Sequence, residues 1–245
     1  MSKSLLEAVY PEATFGGYSR VDGTVAFYSR VQSLLGPGAV ALDVGCGRGK
    51  DADDNCAFRR TLCDLRGKDR RVIGIDVDPA AFQNPLIDEF RKIDDVDRWP
   101  IGDEEVDLLV ANSVLEHVQH PDRFFAEAWR VLRPGGVICL RTYNKRGYVG
   151  ICARLVPNKF HAKVTGFAQG DREEHDVFPT VYRCNTPGAI RRALRRQGFD
   201  ACVYAIETEP SYLKFSPILY RVGAVVHKLI PPPLRWTILA FGRKS

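Results

Sequence analysis

Asp43-Val44-Gly45-Cys46-Gly47-Arg48-Gly49 is the stretch from which the rest of this chain can be read. It completes the run Val40-Ala41-Leu42-Asp43-Val44, a short apolar segment ending in glycines. Such a run marks a buried parallel strand. Glycines permit positive φ and let a ligand lie against the backbone. In open α/β sheets, ligands bind at the carboxyl ends of the strands. The position therefore fits a nucleotide-like ligand. The spacing argues against a dinucleotide, whose fingerprint is G-x-G-x-x-G. Here the pattern is G-x-G-x-G with Asp43 two residues ahead. A pyrophosphate favours helix amides and no neighbouring carboxylate. An acid at the turn suits a ligand carrying an ammonium and a sulfonium.

Working outward, similar apolar runs recur. Val72 to Asp76 reads as a second strand, Phe90 to Ile93 as a third and Val106 to Ala111 as a fourth. Val137 to Arg141 reads as a fifth, entered through Pro134-Gly135-Gly136. Helical spacing covers Val25 to Leu35, Asp122 to Leu132 and Thr186 to Gln197. Ala201 to Glu207 and Trp236 to Phe241 read as two last strands. Strands alternating with helices predict an α/β fold with right-handed crossovers. No repeat or linker divides residues 1–245, so one domain is expected. The charged stretch from Lys50 to Arg71 is longer than a minimal strand-helix-strand unit needs. Its Asp51, Asp53 and Asp54 read either as a helix start favoured by the dipole or as a polar loop flanking the ligand.

Taken together, these segments resemble the class I S-adenosylmethionine-dependent methyltransferases. Ala41 to Gly49 looks like the first motif of that family, and Val72 to Pro79 like the second. Val106 to Gly136 resembles the fourth and fifth segments, with Asn112-Ser113-Val114-Leu115-Glu116-His117-Val118 and Arg130-Val131-Leu132-Arg133-Pro134-Gly135-Gly136 inside it. The small-molecule and glycan-modifying members share the Leu-Glu-His and Leu-Arg-Pro-Gly-Gly motifs. The resemblance implies a Rossmann-like seven-stranded sheet with helices on both faces and an antiparallel last strand beside the fifth. It implies S-adenosyl-L-methionine as cofactor. Gly45, Cys46, Gly47 and Gly49 would pass its amino-acid portion, which Asp43 would orient. Asp76 would take the ribose, with Val77 beside it. Asp95 would meet the adenine amino group, with Asp94 as competitor in an uncertain register, and Val96 would face the ring. Asn112 and Ser113 would line the methionine side. His117 is the candidate general base, and equally a residue that seals the cofactor from solvent.

The acceptor is least legible. Residues 145–184 lose the strand-helix rhythm and are too long for a plain connection. They are read as an acceptor lid, offering Tyr148, His161, His175, Phe178, Tyr182 and Arg183, with Tyr143 and Asn144 just before it. Phe15 to Arg20 is expected to close the site from the other side. A small-molecule, sugar or lipid-linked acceptor is expected, methylated at oxygen. The Asn/Asp-Pro-Pro-Tyr motif of amino-methylating enzymes is absent after the fourth strand, so nucleic acid is not expected. The alternatives are a non-catalytic S-adenosylmethionine-binding protein and a nicotinamide-dependent oxidoreductase.

Composition bounds these readings. At 45% hydrophobic and 27% charged, the chain can bury a core without metal or disulfides. Its seven cysteines are odd in number and none pairs as C-x-x-C. That predicts a reducing, cytoplasmic setting and no metal site. The net charge of +5 is too mild to imply nucleic acid. Residues 214–233 form an apolar helical pattern between the last two strands, with basic flanks to Arg235. It reads as a core-packing or dimer-forming helix, or as an interfacial helix on the inner membrane surface. Oligomeric state is not legible.

Overall fold

The computed structural model describes residues 4–67, 69–147 and 179–245. Seven strands form one sheet: β1 (Val40–Val44), β2 (Arg71–Asp76), β3 (Glu89–Lys92), β4 (Val106–Asn112), β5 (Leu132–Tyr143), β6 (Phe199–Ile206) and β7 (Thr237–Lys244). Their order is β3-β2-β1-β4-β5-β7-β6. β1 to β5 pair in parallel, while β7 runs antiparallel between β5 and β6. The last strand therefore lies where the resemblance implied. From β1 the chain builds one way to β2 and β3, then returns to place β4 on the other side. The carboxyl ends of β1 and β4 thus flank a topological switch point, where such sheets open a crevice.

Among the described residues the α-helices are α1 (Leu5–Val9), α2 (Gly23–Leu34), α3 (Ala57–Cys63), α4 (Pro121–Val131), α5 (Pro187–Arg196) and α6 (Pro217–Leu229). Strand alternation sends neighbours to opposite faces. Leu42, Ile73, Ile75 and Leu109 bury against Phe125 and Val131 of α4 and Ile190 and Leu194 of α5. Ala41, Val72, Leu108 and Val110 bury against Phe27 and Val31 of α2 and Cys63 of α3. Cys139 is part of that second core, a small hydrophobe as its apolar setting implied.

Several boundaries differ from those read off the chain. α2 begins at Gly23, because the buried Asp22 carboxylate accepts from the Thr24 and Val25 amides and caps it. β5 begins at Leu132, with a shift in register against β4 between Val106 and Leu108. The Pro134-Gly135-Gly136 turn is thus part of the strand run, with Gly135 at φ 80°. β7 continues to Lys244, whose buried ammonium donates to the Trp129 and Leu132 carbonyls at 2.9 and 2.7 Å. The Lys50 to Arg71 stretch resolves into a 3-10 turn (Lys50–Asp53) followed by α3. Asp51 and Asp53 lie in that short 3-10 turn, Asp51 close enough to act on the Asp43 charge, while Asp54 pairs with Arg59. The lid candidates Tyr148, His161, His175 and Phe178 lie outside the described residues.

Candidate functional site

The glycine turn sits at the carboxyl end of β1. Gly45, Gly47 and Gly49 all hold positive φ, at 67°, 53° and 80°. Their surroundings separate them. A Cβ on Gly45 would lie 2.6 Å from Val114 Cγ2, and one on Gly49 would collide with Asn84 and Pro85. A Cβ on Gly47 would meet nothing within 4 Å. Gly49 is thus buried in the fold, Gly45 is exposed but abuts Val114, and Gly47 borders open space. The Cys46 thiol packs against Gly74, and burial raises its pKa well above the thiol range. That suits packing rather than chemistry.

Two carboxylates underlie the turn. Asp76, at the end of β2, is buried and accepts from the Gly47 amide and the Asp78 amide, each at 2.9 Å. It ties the turn to β2. Asp43 is different. Among the described residues, no hydrogen bond or ion pair reaches its carboxylate. Burial pushes its carboxyl up to about 7, and the nearby Asp51 and Asp76 charges add to the effect. A desolvated acid beside two further acids makes a strong demand for a cation.

Across the switch point, β4 ends at Asn112 and Ser113 follows it. Ser113 holds φ 59°, a conformation rare for a non-glycine residue and often met at functional sites. Asn112 Oδ1 accepts from Arg141 Nε at 2.7 Å, and Arg141 also donates to Thr24 Oγ1 at 2.9 Å. Asn112 Nδ2 lies 3.5 Å from the Tyr28 hydroxyl. Burial, then the Asp43 charge, raises the Tyr28 phenol well above its ordinary range. Tyr28, Thr24 and Arg141 thus join the site without having been read from the chain. Tyr28 sits on the buried face of α2, where periodicity alone reports a core residue.

Beyond β3, Asp94 pairs with Lys92 at 2.7 Å. Asp95 accepts from the Asp97 amide at 2.8 Å and closes its own turn. Val77 and Val96, after β2 and β3, both leave apolar surface exposed.

The segment after β4 anchors the chain at residues 179–185. Glu116 is buried, and burial raises its carboxyl above the usual range. Thr142 Oγ1 donates to Glu116 Oε2 at 2.7 Å and accepts from Asn185 Nδ2 at 2.7 Å. The Glu116 carbonyl accepts from the Val181 amide at 2.8 Å and the Tyr182 amide at 3.2 Å. His117 Nδ1 lies 3.1 Å from the Pro179 carbonyl. A carbonyl only accepts, so this contact puts the ring proton on Nδ1 and makes Nε2 the basic nitrogen of the neutral ring. On the opposite side, the N-terminal segment is fastened to α3 and the turn before it. Arg59 bridges Asp22 and Asp54 at 2.9 and 2.7 Å, and Tyr18 stacks on Phe58 with centroids 5.1 Å apart. No group of three His, Cys, Asp or Glu side chains suited to a metal ion occurs among the described residues.

Residues 42–140 match the family model described as a methyltransferase domain. A Mycolicibacterium smegmatis protein described as a probable S-adenosylmethionine-dependent methyltransferase is 34% identical over 112 residues, 44% of this chain and 39% of its own length. The malonyl-[acyl-carrier protein] O-methyltransferase of Serratia marcescens is 28% identical over 150 residues, 56% of this chain and 54% of its own length. The chain therefore spans less than two thirds of either relative. A crystal structure of a SAM-dependent methyltransferase from Aquifex aeolicus superposes over 98% of this chain and 97% of its own, with TM-score 0.52 at 15% identity. That likeness, with the strand order above, establishes the Rossmann-like sheet of such methyltransferases as the fold.

Proposed function

We propose that this chain transfers a methyl group from S-adenosylmethionine to a small-molecule, sugar or lipid-linked acceptor, at oxygen. The observation that carries the reading is Asp43: a half-buried carboxylate at the glycine turn, unpartnered among the described residues and flanked by two more acids. A pyrophosphate would meet repulsion there. A ligand with an ammonium and a sulfonium meets attraction. When bound, that cofactor supplies a methyl group on a positively charged sulfur.

The protein's share is positioning and desolvation. The open side of Gly47 admits a ligand against the backbone, and Asp43 supplies the charge that orients an amino-acid end. Asp76 uses each carboxylate oxygen once, so a second lone pair on each remains to accept ribose hydroxyls. Val77 and Val96 offer apolar surface to a ring, with Asp95 or Asp94 at its edge. Asn112 and Ser113, held by Arg141, line the methionine side. His117 Nε2 would take the acceptor proton. The same His117 contact with Pro179 also favours a second reading, in which the ring closes the site. Oxygen as acceptor atom is supported by the Serratia relative, whose name specifies an O-methyltransferase.

Parallel calorimetric titrations with S-adenosylhomocysteine and NAD test this. Binding of the first alone is expected, and binding of NAD instead would favour an oxidoreductase. A screen of sugars, lipids and phenols for uptake of labelled methyl then separates an enzyme from a binding protein. Replacement His117→Ala assigns the histidine. Turnover lost at unchanged cofactor affinity identifies the base; affinity lost with turnover identifies the seal.

A further inference from the structure

α6 is built with two faces that ask for different surroundings. At about 100° per residue, Tyr220, Gly223, Ala224 and His227 share one arc. All four are buried. Tyr220 and Ala224 pack with Tyr10, Leu5, Leu6 and Val9, so α1 braces the inner face. His227 Nδ1 lies 3.0 Å from the Thr208 carbonyl and 3.2 Å from Glu207. The opposite arc carries Ile218, Leu219, Val222, Val225, Val226 and Leu229, and every one is exposed. Ile218 is 71% and Leu229 79% exposed, too open for the rim of a core contact. A contiguous exposed apolar face on a fixed helix marks an interaction surface.

Charge identifies the occupant. Arg221 and Lys228, seven residues apart, form one row along the edge of the apolar arc, and Lys214 precedes the helix. Residues 210–245 contain six Lys and Arg and no Asp or Glu side chain. Glu207 faces the buried His227 and Glu12 feels the Lys228 charge, but α6 itself carries no acid, and an apolar stripe with a basic edge complements a negatively charged bilayer surface. Antiparallel pairing with a second copy would bring both basic rows to the same edge, where they repel. We infer that α6 docks this protein onto anionic membrane, apolar arc inward and Arg221 and Lys228 at the headgroups. No helix of the described residues is long and apolar enough to cross a membrane, so the contact is peripheral. The inference stands apart from the methyl-transfer reading, since it rests on a different face of the molecule.

Sedimentation of the full chain with vesicles at low salt tests it. Binding is expected to phosphatidylcholine vesicles containing phosphatidylglycerol, and only weakly to phosphatidylcholine alone. Paired Arg221→Ala and Lys228→Ala should weaken partitioning roughly thirtyfold, at about one kcal/mol per basic residue. Paired Val222→Asp and Val226→Asp should abolish it. These positions are exposed, so unchanged circular dichroism and melting temperature are expected. Partitioning that ignores anionic lipid, or survives the aspartates, overturns the inference. So does a homodimer by light scattering that the aspartates dissociate while vesicle binding is absent. Vesicle binding without S-adenosylhomocysteine binding would leave this inference standing and remove the methyl-transfer reading.

Discussion

Asp43 links residue chemistry to a measurable pH dependence. Its carboxyl is raised from the ordinary 3.8 to about 7 by burial and by Asp51 and Asp76. A raised acid pKa means the folded state holds a proton that the unfolded chain has lost. Its contribution to stability is therefore full below about pH 4 and is lost as the pH climbs through 7. Asp43→Asn should stabilise the ligand-free protein above pH 7 relative to the parent, with the gap closing towards pH 4 in urea titrations. Binding should move the other way. A cationic ligand favours the charged carboxylate, so S-adenosylmethionine should displace a proton near pH 6, visible as a buffer-dependent enthalpy. Asp43→Asn should weaken that binding about ten- to a hundredfold, the range for loss of a charge-assisted contact. The glycines give a paired test. Gly49→Ala meets Asn84 and Pro85 and should destabilise the fold by about 1–3 kcal/mol. Gly47→Ala meets no neighbouring atom but still carries the strain of φ 53°, so it should cost about 1–2 kcal/mol in the urea midpoint, less than Gly49→Ala, and in addition weaken cofactor affinity.

At the element scale, the carboxyl end of β5 and the segment after β4 are joined through Thr142. Its hydroxyl accepts a hydrogen bond from Asn185 Nδ2 and donates one to Glu116 Oε2, with all three residues buried. Thr142→Val keeps the shape and leaves both partners unsatisfied. A loss of about 2–4 kcal/mol is expected by urea denaturation. Because the Glu116 backbone also holds Val181 and Tyr182, proteolysis near residue 180 should quicken in the same variant. Arg59 does the comparable work for the N-terminal segment. Elements of this kind differ in how far the chain announces them. β1, β2, β4 and α4 were readable nearly to the residue, because apolar runs and helical spacing record burial locally. The turn at Gly45 to Gly49 was readable because only glycine tolerates such backbone at so close an approach. The start of β5 was not, since its pairing depends on a register shift against β4. Nor was the role of Arg141, which reaches Asn112 and Thr24 from a strand otherwise read as core.

At the scale of the whole molecule, cofactor binding should read out as global stability. Ligand at a hundred times its dissociation constant stabilises by about 2.7 kcal/mol. For a chain of this size that is roughly 5–10 °C in melting temperature. S-adenosylhomocysteine should produce this shift, and NAD none. The shift is global because the site draws on β1, β2, β4, β5 and α2 together, so opening any of them opens the crevice. The amino-acid sequence alone determined the strand-helix order, the glycine turn with Asp43 ahead of it, and the acid closing β2. These are local: each is encoded by spacing, by the glycine backbone, or by a residue next to its neighbour. Tertiary structure alone decided that Asp43 has no partner among the described residues while Asp76 does. It decided that Tyr28 and Arg141 meet Asn112, that Lys244 is buried, and that α6 turns its apolar arc outward. Each of these depends on which distant element covers a side chain, and periodicity records that a face is apolar, never what lies against it.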